Sequence, residues 1–589
     1  MKRTHTCADL RKSDIKKEVV LCGWVQSRRD HGGVIFVDLR DRYGLTQVVF
    51  DPNHNKESHK AAEKIRREWV LQISGHVRAR FEGMANPKMP TGDIEVISDN
   101  LTILNESETP LLEIEDEKEA SEEMRLKYRY LDLRRPKMQK HLLFRHNAAQ
   151  ATREFLSSQN FLEIETPLLV KTTPGGARVF KVPSRGNLGK FYALPESPQI
   201  YKQLLMVSGC DRYFQMAKCL RDEDLRADRQ PEFTQIDLEM SYVDQEDVQQ
   251  IIEGLLKHLF KKLLNVDVKT PFPRLTFYNA VSKYGSDKPD LRFGLELTDV
   301  SEIAQHSDFT VFKSIVDKKG KVFCLCVPKG SSFSRTDIEE LIEIAKTHKL
   351  AGLSWMKVTG KGLESNIAKY FNAQSQSKII DATKAKDGDL LLFAAEQFEK
   401  AATALGQVRL AVAKKQNLIP ANIYNFTWIV DFPLYEWSEE LKQWQARHHI
   451  FTHPKDEDIS KLEKSPDDVK GKLYDCVLNG VELGSGSIRI HRRDLQERVL
   501  KVIGLTYEEA SKRFDFLLEA FKYGAPPHGG IALGFDRLVT IMQGLTDIRE
   551  VIAFPKNKEM QNPMDGSPQD WTQEFLKDLH LKLDVVQKK

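Results

Sequence analysis

Cysteine is scarce. The 589 residues hold 7, an odd number, and the Cys324-x-Cys326 pair is answered by no second pair at zinc spacing. Buried free thiols in a reducing compartment fit this better than a disulfide framework or a zinc site. Long hydrophobic runs are missing as well: nothing approaches the ~18 apolar residues of a membrane span. The opening MKRTHTCADLRKSD lacks the apolar stretch of a secretory signal. A cytoplasmic protein with no membrane partner is expected. Charge imbalance is also missing, since 88 Lys and Arg against 85 Asp and Glu leave +3. Such a total argues against a chain that coats DNA or RNA nonspecifically, but it permits a local basic patch.

What is present is a long chain, enough for several domains with ordinary cores. Residues 19–105 carry strand-like runs at 19–26, 34–41, 45–51, 69–81 and 94–104, with a helical pattern at 59–69 between the third and fourth. Three strands, a helix and two strands is the order of an OB-fold barrel, assigned to 1–106. The acidic stretch ESETPLLEIEDEKEASEE reads as a solvated linker within a hinge at 107–138. A helical pattern follows at 141–158. Residues 161–275 then alternate short strands and loops with one helix near 244–264, and 160–170 reads as a helix end entering a strand that stops at Pro167. DKPDLRFGLEL opens an α+β stretch, 287–415, that interrupts a strand-rich region divided into 139–286 and 416–560. Gly360-Lys361-Gly362 reads as a turn, and 561–589 as a loop with a short helix. The expected class is multidomain α+β.

Three segments stand out chemically. In RYFQMAKCLRDEDLRADRQPEFTQIDLEMSY, seven charged residues (Arg221, Asp222, Glu223, Asp224, Arg226, Asp228, Arg229) crowd into 221–229 between apolar runs. A solvated hairpin tip is the plain reading. Arginines flanked by hydrophobic strands also suit phosphate, because a guanidinium fork binds two oxygens at once. Phe233, just beyond, can offer a ring face to a purine. In GGIALGFDRLVTIM a glycine-rich strand enters an amphipathic helix; the small residues read equally well as packing glycines or as room for a ligand, in which case Arg537 near the helix start would meet phosphate. The third segment, NFLEIETPLLV, says little alone.

In this order and spacing the three resemble the signature motifs of class II aminoacyl-tRNA synthetases. With the OB-like module in front, the chain resembles the subclass for aspartate, asparagine and lysine. ALPESPQIYKQLLM, ADRQPEFTQID and NGVELGSGSIRIH are similar to the aspartyl branch, and the long insertion to its bacterial type. The resemblance implies an OB-fold anticodon-binding barrel, an antiparallel-sheet catalytic domain with helices, and an α+β insertion domain. It implies L-aspartate, ATP, Mg²⁺ and tRNA as ligands, and a homodimer formed around Pro167.

By position, it implies that Arg489 and Lys202 hold the aspartate side chain, that Asp237, Ser197 and Gln199 hold its ammonium, and that His448 and Gly175 approach it. The His448-His449 pair alone leaves a metal site conceivable, but no third ligand has suitable spacing. For ATP it implies Arg221 on the α-phosphate and Arg537 on the γ-phosphate, with Asp222, Glu223, Gln230, Phe233, Gly534, Phe535 and Asp536 around the nucleotide. Asp475 and Glu482 would hold Mg²⁺, and Arg221, Arg537 and Glu482 would act in catalysis. Asparagine would leave Arg489 and Lys202 unpaired, a penalty that can reach ~10⁴ in selectivity.

Arg29, Phe36 and Gln47 match anticodon-reading positions, although Phe36 alone reads equally well as a core aromatic. His31 and Gly83 match the pair found in members that charge both tRNA-Asp and tRNA-Asn. Two departures stand out: Gly175 replaces a frequent Glu, and Ile450 replaces a proline after the histidine pair. Competing readings are an enzyme acting on tRNA-Asp alone, an asparaginyl enzyme, a synthetase-like RNA-binding protein without catalysis, and an adenylating ligase that uses ammonia.

Overall fold

A computed structural model describes residues 2–172, 178–225 and 228–584, which divide into two compact units: 1–144 with 549–570, and 145–548 with 571–589.

The first unit is built on β1 (Glu18–His31), β2 (Val34–Arg40), β3 (Leu45–Phe50), β4 (Val70–Ala79) and β5 (Ile94–Asn105), closed as a barrel in the order β1-β2-β3-β5-β4. Alternation sends Val19, Leu21, Ile35, Val37, Leu39, Leu71 and Ile73 inward to one sealed core. The expected OB barrel is therefore present. The helix between β3 and β4 is shorter than its pattern suggests. It runs only over α1 (Lys56–Ala62), capped by Asn55 on the Ser58 amide. Glu68 lies at φ 64°, a conformation that cannot continue a helix, and its buried carboxylate takes Arg40 at 2.8 Å and Arg134 at 2.9 Å.

The acidic stretch is not a free linker either. Leu112 and Ile114 are buried, and Arg67 pairs with Glu113 and Glu115. Farther on, buried Arg129 donates to the carbonyls of Arg549, Ile552 and Ala553 and so ties in the returning segment.

The second unit carries most of the helix α2 (Pro136–Ser158), which starts one turn earlier than its apolar pattern suggests. An eight-stranded sheet is formed by β6 (Leu162–Glu163), β7 (Arg212–Leu220), β8 (Glu232–Ser241), β9 (Arg274–Thr276) and four later strands. The strand expected up to Pro167 shrinks to two residues. A second helix, α3 (Gln199–Val207), precedes the one at α4 (Gln245–Leu264); it is 9 residues long and lacks a side-chain cap, so no clear start is marked in the sequence.

Within 287–415 a separate five-stranded sheet forms from β10 (Leu297–Asp299), β11 (Lys321–Val327), β12 (Ser354–Thr359), β13 (Gly362–Glu364) and β14 (Leu390–Glu396), in the order β10-β11-β14-β12-β13. The turn read at Gly360-Lys361-Gly362 joins β12 to β13. Helices α5 (Arg335–Thr347) and α6 (Phe398–Lys415) pack on it. Buried Arg409 of α6 gathers the carbonyls of Asp290, Phe293, Gly294 and Leu295, which explains how a junction without regular structure is held. Cys324 and Cys326 of β11 are free, and burial pushes both thiols up.

The large sheet resumes with β15 (Phe426–Val430), β16 (Leu473–Leu478), β17 (Val481–Ile488) and β18 (His528–Gly534), which leads directly into α7 (Phe535–Met542). Its order is β9-β15-β16-β17-β18-β8-β7-β6, mainly antiparallel. The central strands β17, β18 and β8 bring together chain segments some 300 residues apart.

Candidate active site

Residues 237 and 239 share one face of β8 because side chains on a strand alternate. Register sets Glu239 opposite Gly530 of β18, and Gly530 opposite Ser487 of β17. Gly530 has a specific reason to be glycine: a Cβ there would lie 2.2 Å from Glu239 Oε2. On this face lies a cavity of about 560 Å³, lined among others by Gln199, Lys202, Arg221, Phe233, Asp237, Arg489 and Arg537.

One end is a buried four-charge network. Lys202 of α3 reaches Asp237 Oδ1 at 2.7 Å and Glu239 Oε2 at 3.3 Å. Arg489, just past β17, meets Glu239 through Nε and Nη2 at 2.9 and 3.2 Å. Its Nη1 points to Ser487 Oγ at 2.6 Å and His449 Nε2 at 2.8 Å. A guanidinium only donates, so that His449 nitrogen carries a lone pair, in keeping with burial holding the imidazole well below its usual range. Burial opposes ionisation of Glu239, but Arg489 and Lys202 outweigh it and hold the carboxyl below its ordinary value. For Asp237 burial wins over Lys202, and the carboxyl is raised. Its Oδ2 is buried with no hydrogen-bond partner among the described residues, an acceptor suited to an incoming cation.

The other end carries unmatched cationic edges. Arg221 stands over the Phe233 ring, 5.2 Å from its centroid, and its buried Nε has no partner among the described residues. Arg537, in the first turn of α7, donates from Nη1 to the Glu482 carbonyl at 2.6 Å and from Nη2 to Asp228 at 3.1 Å, while its Nε is also unpartnered. Asp475 of β16, opposite Ser485 of β17 in register, is buried with Oδ1 unpartnered among the described residues; burial first, and then the Glu482 charge, raises its carboxyl well above the usual range. Two carboxylates repelling each other with an oxygen to spare make a donor set that suits a hard divalent cation such as magnesium.

Most of the residues anticipated from sequence converge here: Ser197, Gln199, Lys202, Arg221, Glu223, Gln230, Phe233, Asp237, His448, Glu482, Arg489, Gly534, Asp536 and Arg537 all line the cavity. Asp222, Asp475 and Phe535 do not. Phe535 is buried beneath the Arg145 guanidinium. Asp536, although at the cavity wall, has both oxygens engaged, one by Arg145 and one by the Thr234 amide at 2.6 Å, so it joins α2, β8 and α7. Gly175 and Arg226 lie outside the described residues.

His448 is exposed toward the cavity with its ring edge on Phe432, and His449, which sequence reasoning passed over, is the histidine on Arg489. No cluster of three or more metal-type ligands is found among the described residues. Ile450 is buried in the core, and its carbonyl accepts from Gln496. Glu239 was also passed over. Nothing in the local sequence marks it; only the strand alternation with Asp237 could have.

On the barrel, Arg29, Phe36 and Gln47 share the outer face of β1–β3. Phe36 is half-buried, opposite Arg29 in register and not part of the core, and its ring meets His31 edge-on with 6.2 Å between centroids. Arg29 donates to Asp38 at 2.9 Å and to Gln47 Oε1 at 3.3 Å, and Gln47 Nε2 donates to Glu95 at 2.8 Å. These bonds take one of the two amide hydrogens and one of the two lone pairs of Gln47, which leaves one of each for a base edge. Gly83 sits in the β4–β5 loop at φ 79°, with open space where a side chain would go.

An OB barrel, an antiparallel sheet with an arginine-rich hairpin, and a glycine strand running into an arginine-bearing helix together define a class II aminoacyl-tRNA synthetase. The profile of "tRNA synthetases class II (D, K and N)" matches residues 121–558, and that of the "OB-fold nucleic acid binding domain" matches 19–104. The chain belongs to this family of class II synthetases.

Among its relatives is the aspartate–tRNA(Asp/Asn) ligase of Caldanaerobacter subterraneus subsp. tengcongensis, 53% identical over 585 residues and 99% of each chain. The ligase of the same name from Endomicrobium trichonymphae is 51% identical over 582 residues, again 99% of each. The fold is shared with asparaginyl-tRNA synthetase from Pyrococcus horikoshii complexed with asparaginyl-adenylate (TM-score 0.59, 20% identity, 94% of this chain and 98% of that one). It is shared too with aspartyl-tRNA synthetase from Entamoeba histolytica (TM-score 0.57, 19% identity, 95% and 92%).

Proposed function

We propose that this enzyme joins L-aspartate to tRNA through aspartyl-adenylate, and that it charges both tRNA-Asp and tRNA-Asn. The observation that carries the reading is the buried network: Arg489 Nη1 and Lys202 face the cavity as cations, and Asp237 keeps one acceptor free. That pattern complements a side-chain carboxylate beside an ammonium. The Asp/Asn specificity in the names of relatives identical at about half of all positions supports the rest.

In the first step an oxygen of the aspartate α-carboxylate attacks the α-phosphorus of ATP in line and pyrophosphate leaves. In the second the 3′-terminal ribose hydroxyl of the tRNA attacks the activated carbonyl and AMP leaves. The protein supplies no nucleophile. Arg221 and Arg537 bind and orient the phosphates through their unpartnered edges, with Glu223, Gln230 and Gly534 around the nucleoside and Phe233 beneath the base. Asp475 and Glu482 would hold Mg²⁺, which neutralises phosphate charge. Ser197, Gln199 and Asp237 receive the ammonium, and Arg29, Phe36 and Gln47 the anticodon. Such an enzyme works in the cytoplasm, as a homodimer in this reading.

Aspartate-dependent exchange of pyrophosphate into ATP tests the activation step. Exchange with aspartate and not with asparagine is expected; no exchange, or exchange with asparagine alone, overturns the reading.

A further inference from the structure

Behind the ammonium end of the cavity lies a chain of three side chains that ends on a backbone carbonyl. Gln199 and Gln203 are one helical turn apart on α3 and so face each other. Gln199 Nε2 lies 3.1 Å from Gln203 Oε1, Gln203 Nε2 lies 3.2 Å from His528 Nε2, and His528 Nδ1 lies 2.7 Å from the Pro526 carbonyl. Gln203 and His528 are sealed from solvent, and neither lines the cavity; Gln199 does.

The donor and acceptor sense of the whole chain follows from its fixed end. The Pro526 carbonyl can only accept, so His528 Nδ1 carries the hydrogen. Burial holds the imidazole neutral, which leaves a lone pair on Nε2. Gln203 must present its NH₂ to that lone pair, and its oxygen then faces Gln199. The oxygen can only accept, so the Gln199 NH₂ is committed to it, and the Gln199 oxygen is left as the free end of the amide. An isolated glutamine could turn over and offer N–H groups to an ammonium; this one is held with its acceptor outward, on the cavity that also holds the unpartnered Oδ2 of Asp237.

We infer that Gln203 and His528 are positioning residues that fix which end of the Gln199 amide meets the amino group of the substrate. This rests on the reading above that the cavity binds an amino acid.

The test uses the full chain in pyrophosphate exchange, with succinate, which is aspartate without its amino group, as a competing ligand. In Q203L the KM for aspartate rises roughly tenfold, the scale of one hydrogen bond to a charged group. The KM for ATP, kcat and the inhibition constant of succinate stay within about twofold. Q203E restores the aspartate KM, because a buried protonated carboxyl donates to His528 and accepts from Gln199. Adding Q203L to Q199L costs nothing further.

An unchanged KM in Q203L, an equal loss for succinate and aspartate, or an added loss in the Q199L background overturns the inference. Absence of exchange in the unaltered enzyme instead overturns the functional reading beneath it. Should Q203L not fold, ¹⁵N-histidine spectra of the unaltered protein decide: the His528 signal, assigned by its loss in H528N, belongs to the neutral Nδ1–H tautomer, and an Nε2–H tautomer or an imidazolium there overturns the inference.

Discussion

Arg489 and Glu239 meet through two parallel hydrogen bonds, at 2.9 and 3.2 Å, with both side chains nearly closed to solvent. The pairing changes the simple picture of two bare cations awaiting a carboxylate. Glu239 occupies one edge of the guanidinium, and the two hydrogens of Nη1 go to the neutral Ser487 and His449, which a charged ligand can displace. Rejection of asparagine then rests on the outward edge of Arg489 and on Lys202, not on wholly unpaired charges.

Replacing the carboxylate tests this directly. E239Q leaves Arg489 and Lys202 with one buried anion between them, and breaking such a pair costs on the order of 3 kcal/mol. The expected outcome is a lower melting temperature and an aspartate KM raised at least about tenfold, with the ATP KM little changed. Steady-state exchange kinetics check it; an unaltered aspartate KM contradicts the assignment.

Asp475 gives a pH prediction. Its folded carboxyl is raised by burial and by Glu482, above its unfolded value. Its contribution to stability is therefore fully present below the unfolded carboxyl range and is lost as pH rises through the folded value. A cation bound there reverses the penalty. Thermal unfolding with and without Mg²⁺ should show a larger stabilisation at pH 8 than at pH 5, and D475N should lose most of it. An equal Mg²⁺ effect in D475N contradicts the site.

Arg145 and Asp536 are assigned a joining role, since Asp536 also takes the Thr234 amide next to Phe233. Removing either charge leaves the other, a buried carboxylate or a half-buried guanidinium, without its ionic partner. R145M and D536N should each lose about 3 kcal/mol in denaturant unfolding and raise the KM for ATP more than that for aspartate. A double variant no worse than either single one confirms that they act as a pair.

For the anticodon, Gly83 has open space around it, so a side chain there meets no protein atom, and its positive φ costs a lysine about 1 kcal/mol. G83K should lower charging of tRNA-Asn more than charging of tRNA-Asp in initial-rate assays with each transcript. An equal loss on both contradicts a role in anticodon choice.

The barrel was legible because its inward alternation is regular, and Phe36 was undecidable until register set it opposite Arg29, outside the core. α3 was not legible: it is 9 residues long, has no side-chain cap, and buries Lys202 and Gln203, polar residues that a sequence reading places outside. The charged hairpin and the glycine strand each read as well as a solvated tip or a packing strand, and only their order and spacing with the third segment pointed to one site. Glu239 and His449 could not, because each acquires its role from a partner on another strand: Gly530, whose missing side chain admits Glu239, and Arg489, which turns to both. The relay from Gln199 to Pro526 joins α3 to the start of β18, over 300 residues away, and no spacing in the chain announces it.

The central claim is tested most directly by offering labelled aspartate, ATP and Mg²⁺ to the purified enzyme with tRNA-Asp and tRNA-Asn transcripts in separate reactions. The account predicts aspartate on both at comparable rates. Aspartate on neither contradicts the proposed activity, and aspartate on tRNA-Asp alone contradicts its relaxed anticodon choice.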